Sequence, residues 1–375
     1  MRVLSVSALL DPVLGGGTAE RTVQLARAMS RGGLQVEVLA TDAGLDAGKP
    51  MPRLGGVAVN LLPCRSRRFL IPRAGPGQLD RLVAGTDIVH LCNHWTVLNL
   101  MVAQAARRQG KPYVVCPAGA LPLFGRSQWL KRAYNALGGR ALVANAAAWI
   151  AITRREADDF REYGIDPARV DVVPNGIDPD EYAGGDAAAF RRRLGLGDRR
   201  IVLFVGRLNA IKGPDLLLQA FRREADALAD CSLVMVGPDG GMRASLEAQA
   251  RVLGPGRVVF TGWLGGRDKV DAYSAADLVV IPSRQEAMSL VALEAGACGK
   301  PVLMTDRCGF DAAVSCGGAR AVPPQADALA RALSTMMASG QLAAMGAALR
   351  AQVLTQYTWN AAVERYRAIF GRILA

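Results

Sequence analysis

Histidine, aromatic residues and acidic charge are all scarce in this chain, and each scarcity excludes something. Only 2 of 375 residues are histidine, His90 and His94, too few for a histidine-rich metal centre. Aromatic residues make up 6%, with no zinc-finger spacing and no repeated aromatic-basic module, which argues against nucleic acid as a partner. The 7 cysteines (Cys64, Cys92, Cys116, Cys231, Cys298, Cys308, Cys316) are scattered and form no CxxC pair, the pattern of small buried thiols in a reducing compartment. Long apolar runs are missing too. The longest, Ala141 to Ile152, has 12 residues, would rise only about 18 Å as a helix, and contains Asn145. The chain enters a strand pattern at Arg2 with no cleavage signature, so the expected location is the cytoplasm.

What is present is apolar bulk and basic charge. Hydrophobic residues are 51% and charged residues 21%, a composition for well-buried cores, and the length favours two domains over one. Lys and Arg exceed Asp and Glu by 45 to 33, a net +12. The excess is uneven: residues 51 to 150 hold 13 basic against 2 acidic side chains, a local +11. Arg65, Arg67, Arg68 and Arg73 surround Phe69, and Arg126, Lys131 and Arg132 accompany Phe124, Trp129 and Tyr134. An anionic membrane surface or an anionic lipid-linked substrate fits this mixture, the alternative being a solvated Arg-rich face.

Taken in order, the chain alternates strand and helix patterns. Arg2 to Leu9 reads as a buried strand, Asp11 to Gly17 as a loop, Thr18 to Arg31 as an amphipathic helix and Gln35 to Thr41 as the next strand. This opening resembles a dinucleotide-binding unit with Asp42 after its second strand, but Gly15-Gly-Gly-Thr-Ala-Glu20 lacks the third glycine of GxGxxG, which counts against a nicotinamide-dependent dehydrogenase. Strands follow at Asp87 to Leu91 and Tyr113 to Cys116, with a helix around Thr96 to Arg108 between them. The breakers Pro174-Asn-Gly-Ile-Asp-Pro-Asp180 mark the best domain boundary. Asp178-Pro-Asp180 is nominally a DxD triplet, which a Pro-centred turn explains better than a metal. Beyond it the pattern restarts, with strands at Arg200 to Val205, Ser232 to Val236, Val258 to Thr261 and Leu278 to Ile281, and helices at Asp215 to Ala229, Arg243 to Leu253 and Lys269 to Ala275. Two α/β domains in tandem are the expectation.

The stretch Pro282 to Pro301 joins a strand end, a helix start and two carboxylates, Glu286 and Glu294. In open parallel sheets ligands bind outside the carboxyl ends of strands. On one helix the two carboxylates would stand about 80° and about 12 Å apart, too far to work as the acid/base pair of a glycosidase, whose carboxyls lie about 5 to 9.5 Å apart. Two grips along an extended ligand fit that spacing. Ser283-Arg-Gln-Glu286 also fits a capping box, with Glu294 an ordinary surface carboxylate.

These motifs, with others in a fixed order, resemble the GT-B retaining glycosyltransferases of family 4. The resemblance rests on Gly16-Gly17, Val173-Pro-Asn-Gly-Ile-Asp178, Phe204-Val-Gly-Arg-Leu208 with Lys212-Gly213, Val236-Gly-Pro-Asp239, Phe260-Thr-Gly262 and Glu286-x7-Glu294, and covers nearly the whole chain. It implies an α/β fold of two Rossmann-like domains facing each other across a cleft. Residues 1–174, with helix 359–375 packed back on them, would bind the acceptor, and 175–358 the nucleotide-sugar donor. The implied reaction moves a hexosyl unit from a UDP- or GDP-sugar to a hydroxyl of a glycan or lipid-linked acceptor, in bacterial cell-surface polysaccharide or lipopolysaccharide synthesis, without metal or other cofactor.

By the same resemblance, Arg207 and Lys212, beside Gly206, hold the donor diphosphate, and fixed cations there would stabilise the charge on a leaving diphosphate. The amides of Met288, Ser289 and Leu290 at a helix start would bind the same phosphates. Glu286 takes sugar hydroxyls, Glu294 ribose hydroxyls, Gly262 and Trp263 frame the base, and Gly16 and Gly17 lie against phosphate or acceptor. Two departures stand out. Ala118-Gly119 replaces the usual His-Gly pair, so a substitute such as His90 or His94 lining the site is one expectation and a nucleotide-sugar-binding pseudoenzyme another. Glu286-Ala-Met-Ser-Leu290 replaces Glu-Gly-Phe-Gly-Leu, putting the Ser289 hydroxyl near the phosphates.

Overall fold

Residues 1–45, 54–66, 69–123 and 127–375 are described by a computed structural model. The chain forms two units, Met1–Gly176 with Trp359–Ala375, and Ile177–Thr358. The change of unit falls two residues after the expected 174/175, inside the same run of breakers.

In the first unit β1 (Arg2–Val6), β2 (Gln35–Thr41) and β3 (Ala58–Leu62) are followed by a small antiparallel ribbon, β4 (Cys64–Ser66) and β5 (Ile71–Pro72), and then by β6 (Ile88–Cys92), β7 (Tyr113–Cys116), β8 (Ala148–Ala151) and β9 (Asp171–Val172). The seven-stranded sheet has the order β3-β2-β1-β6-β7-β8-β9 and is parallel throughout. Parallel strands buried on both faces read as continuous apolar runs, and Ile88–Cys92 and Tyr113–Cys116 are buried at every position. Leu4, Val89, Leu98, Val102, Val115 and Phe160 are among the residues that form its core. β1 is shorter than expected, ending at Val6. The segment expected as a loop is in part the helical turn Pro12–Gly15, because Asp11 caps it by accepting from Leu14 N at 2.5 Å and proline suits the first helical position.

The last helix, Trp359–Leu374, belongs to this unit. Trp359, Tyr366 and Phe370 are buried. Trp359 Nε1 donates to Gln24 Oε1 at 2.5 Å, and Arg21 donates to Tyr366 Oη at 3.0 Å.

The second unit holds β10 (Arg200–Val205), β11 (Cys231–Val236), β12 (Val258–Gly262), β13 (Leu278–Ile281), β14 (Val302–Thr305) and β15 (Ala319–Val322). They form one parallel sheet, β12-β11-β10-β13-β14-β15. The helix expected to reach Ala229 ends at Arg223, where Glu224 is its C-cap. In both sheets the strand order reverses beside the unit's first strand, between β1 and β6 and between β10 and β13. A ligand crevice forms at such a switch point, outside the carboxyl ends of the strands.

Candidate active site

In the second unit the switch point lies between the loops that follow β10 and β13, and these carry Arg207, Lys212 and Glu286. Leu208 N donates to Pro238 O and Gly240 N to Leu208 O, both at 3.0 Å, so the Arg207 segment lies along the loop after β11. Asn209 turns the chain back by accepting from Lys212 N at 3.0 Å. Gly213 then sits at φ +68, and a Cβ there would lie 2.1 Å from Pro282 O. Only glycine allows both this backbone and this approach, which places Lys212 against the loop after β13.

Lys212 Nζ forms a short ion pair with Glu286 Oε1, which also accepts from Ser283 Oγ at 2.7 Å. The Glu286 side chain is 8% exposed and that of Lys212 34%. Burial pushes the Glu286 carboxyl up, but Lys212, Ser283 and Ser289 outweigh it and hold it below its ordinary range. The pair therefore presents a fixed cation and a fixed carboxylate at neutral pH.

Glu286 is not helical. The helix after β13 is Leu290–Ala297, so the capping box at Ser283 does not form: its hydroxyl bonds the Glu286 carboxylate. The loop is braced from behind, Glu286 N donating to Arg307 O at 2.9 Å and Ser289 N to Cys308 O at 3.2 Å. That second bond removes the Ser289 N–H from the expected phosphate-binding amides. The helix itself starts without a side-chain cap, although Ser289 at its N-cap position is buried. Met288 is buried and Leu290 opens the helix. Gly206 N is taken by Val236 O at 2.9 Å, which fixes the start of the arginine loop.

Glu294 lies on the buried side of the same helix. Its Oε1 accepts from Tyr182 Oη and Lys269 Nζ, each at 2.9 Å, and its Oε2 from Tyr273 Oη at 2.5 Å. Burial, and after it the Glu294 charge, drives the Tyr273 phenol well above its usual range, so Tyr273 remains a donor. Gly262 ends β12 with its carbonyl bonded by Gly237 N at 2.8 Å, and Trp263 beside it is 49% exposed. Asp178 caps the turn Pro179–Tyr182, and among the described residues no cluster of His, Cys, Asp and Glu could hold a metal.

Sequence reasoning missed Arg284. It donates to both oxygens of Asp215 at 2.9 and 2.6 Å and to Ala210 O at 2.6 Å, while Arg284 N donates to Ile211 O at 2.7 Å. This bidentate pair ties the lysine loop to the glutamate loop. Lys269, Tyr182 and Tyr273 were missed as well, because the partners lie far apart in sequence and outside any local pattern.

The first unit brings its own residues to the carboxyl ends of β1, β6 and β7. Gly16 and Gly17 open the helix Gly17–Arg31. Ala118 and Gly119 form a turn after β7 with φ +50 and +88. His94 corrects an expectation: it presents nothing to solvent. Its Nε2 lies 3.0 Å from Asn135 Oδ1 and 3.2 Å from Tyr163 Oη, and its ring is boxed by Trp95, Tyr134 and Tyr163. Burial, together with the Lys131 charge, lowers its pKa to about 4. His90 is equally enclosed, near Ser5, Tyr366 and Phe370, and lowered to about 3 by burial and then by Arg21. Both are neutral packing residues, because the strand end and the first loop turn inward where they stand. Of the basic cluster, Arg67, Arg68, Phe124 and Arg126 lie outside the described residues, whereas Phe69 and Trp129 are 50% and 70% exposed.

Comparison with known proteins identifies the family and the fold. The family model "Glycosyl transferases group 1" matches residues 186–349, and "Glycosyl transferase 4-like domain" matches 16–176. The D-inositol 3-phosphate glycosyltransferase of Actinosynnema mirum is 36% identical over 350 residues, covering 84% of this chain and 82% of the relative. D-inositol 3-phosphate glycosyltransferase 1 of Catenulispora acidiphila is 32% identical, with 98% and 95% covered. Among solved structures, Anabaena Alr3699/HepE in complex with UDP and glucose superposes with a TM-score of 0.79 at 21% identity, covering 99% of this chain and 100% of that one.

Proposed function

Since this chain belongs to the glycosyl transferases group 1, family 4, and has the GT-B fold, we propose that it is a retaining hexosyltransferase that uses a UDP- or GDP-sugar and a hydroxyl acceptor. The observation that carries this reading is the Lys212–Glu286 pair beside an uncapped helix start, at the switch point of the second unit's sheet. A carboxylate next to a cation suits a sugar hydroxyl adjoining a diphosphate. As the glycosidic bond breaks, negative charge grows on the leaving nucleoside diphosphate, and Arg207, Lys212 and the helix N-terminus stabilise it without a metal. Glu294 holds the ribose, with Gly262 and Trp263 beside the base. The first unit takes the acceptor near Gly16, Gly17, Ala118 and Gly119.

The acceptor belongs to one of two classes. A glycan or lipid-linked hydroxyl of a cell-surface polysaccharide is the first, supported by the basic excess of the first unit. A phosphorylated polyol is the second, supported by relatives named for D-inositol 3-phosphate. Among the described residues no helix is long and apolar enough to cross a membrane. We place the enzyme in the cytoplasm, peripherally on the inner face of the membrane when the acceptor is lipid-linked.

The test is a panel of UDP- and GDP-sugars, with EDTA present, assayed for acceptor-dependent nucleotide release against D-inositol 3-phosphate and lipid-linked glycans. One donor–acceptor pair should turn over, with the anomeric configuration of the donor kept. Nucleotide binding without transfer to any acceptor would instead favour a nucleotide-sugar-binding protein, the reading that Ala118 suggests.

A further inference from the structure

We propose that Glu156 is a positioning residue for the Ala118–Gly119 turn, its ionised carboxylate holding that turn from behind and its protonation releasing it. The link to catalysis rests on the reading above, in which this turn borders the reaction; the latch itself does not.

The turn is one that needs holding. Ala118 and Gly119 are consecutive residues in the left-handed region, and the alanine carries a Cβ that disfavours it. Such backbone persists only where its surroundings impose it. Ala120 N closes the turn on Pro117 O at 3.2 Å. Gly119 N points the other way and donates to Glu156 Oε1 in a short contact.

Glu156 reaches this position by an altered helix cap. Thr153 caps the helix Arg154–Asp159, its Oγ1 accepting from Glu156 N at 3.1 Å. In a full capping box the glutamate would return to the Thr153 N–H. Here its Oε2 accepts from Ile152 N at 2.7 Å, at the end of β8, and its Oε1 crosses to the loop after β7. One carboxylate thus joins the carboxyl ends of two neighbouring strands. It is 2% exposed and forms no ion pair among the described residues.

The charged groups acting on it are Arg21 from the helix Gly17–Arg31 and Asp159 from its own helix, while its own charge acts on the Cys116 thiol of β7. Arg21 does not touch it, its guanidinium being bound to Asn175 Oδ1, Cys116 Sγ and Tyr366 Oη at 2.8, 3.1 and 3.0 Å. Burial pushes the Cys116 thiol up to about 11, so it stays neutral. For Glu156, burial outweighs the two N–H bonds and the Arg21 charge, with Asp159 adding to it, and raises the carboxyl to about 7. The ionised form accepts both N–H groups. The protonated form gives one oxygen over to an O–H donor and serves only one of them well.

The experiment follows the Gly119 amide directly. Labelling alanine carbonyls with 13C and glycine nitrogens with 15N selects the glycines that follow alanine, Gly119 among them. In the full-length protein its resonance should move with pH through a single midpoint of about 7, and in Glu156→Gln it should stay still. Turnover of the native enzyme should fall on the acid side with the same midpoint, and Glu156→Gln should lose on the order of tenfold in kcat at alkaline pH with that limb absent. A Gly119 amide that does not move between about pH 5.5 and 8.5, or that moves equally in Glu156→Gln, overturns the latch. The native titration alone decides this should the variant fail to fold. If the amide titrates and turnover does not follow, the latch stands and the placement of this turn at the reaction falls.

Discussion

Glu286 and Lys212 show how far single residues carry the account. Glu286 is buried and kept charged by Lys212, Ser283 and Ser289 against the effect of burial, so glutamine in its place keeps the shape and removes the charge that Lys212 faces. Glu286→Gln should lower kcat on the order of a hundredfold while its melting temperature moves by only a few degrees, about what 1 kcal/mol produces in a domain of this size. A transfer assay run beside a thermal melt checks this; equal losses of activity and stability would reduce Glu286 to a packing role. The sign of the pH effect separates it from Glu156. With its carboxyl held below the ordinary range, Glu286 stabilises the fold at neutral pH and loses that contribution only as the pH falls through its lowered value, well below the range in which Glu156 titrates.

At the scale of elements, the site depends on loops that touch through backbone. A Cβ at Gly213 would meet the Pro282 carbonyl at 2.1 Å, with φ at +68, so Gly213→Ala should push the lysine loop off the glutamate loop. Left-handed alanine alone costs about 1 to 2 kcal/mol. We expect nucleotide affinity to drop about tenfold or more with far-ultraviolet circular dichroism unchanged, measured by titration and spectroscopy on the same sample. The parallel strands were legible because both faces are buried: Gln35–Thr41, Tyr113–Cys116, Arg200–Val205 and Leu278–Ile281 fall where the apolar runs place them. Arg207, Lys212 and Glu286 were legible as an ordered motif set, and the sheet's switch point supplies a physical reason for their positions. The contacts that hold them were not. Arg284 with Asp215, Tyr182 and Lys269 with Glu294, and Gly119 with Glu156 pair residues from different elements far apart in the chain, and no periodicity marks them. The capping box offered as the alternative at Ser283 does not form, because a hydroxyl and a glutamate three residues apart bond each other directly and the helix begins at Leu290. His94 misled because a polar residue after a strand can turn inward when Asn135 and Tyr163 meet it there.

For the whole molecule, the local +11 of residues 51 to 150, with exposed Trp129, Arg132, Leu137 and Arg140 along one stretch, predicts salt-sensitive binding to anionic vesicles. Each basic residue near the surface contributes about 1 kcal/mol, fading within about 8 Å at physiological salt. The native protein should float with acidic vesicles at low salt, and a variant with Arg65, Lys131 and Arg132 replaced by glutamine should float less; absence of flotation would leave a solvated face and favour a soluble acceptor. The central claim, that this glycosyltransferase grips a nucleoside diphosphate through Arg207 and Lys212 without a metal, is met most directly by calorimetric titration of UDP and GDP, in EDTA, into the native protein, Arg207→Ala and Lys212→Ala. Charge-assisted contacts of about 1.5 to 3 kcal/mol each predict binding by the native protein and affinities about 10- to 150-fold weaker in each variant. Unaltered affinity in both variants, or binding that appears only when magnesium is restored, would contradict it.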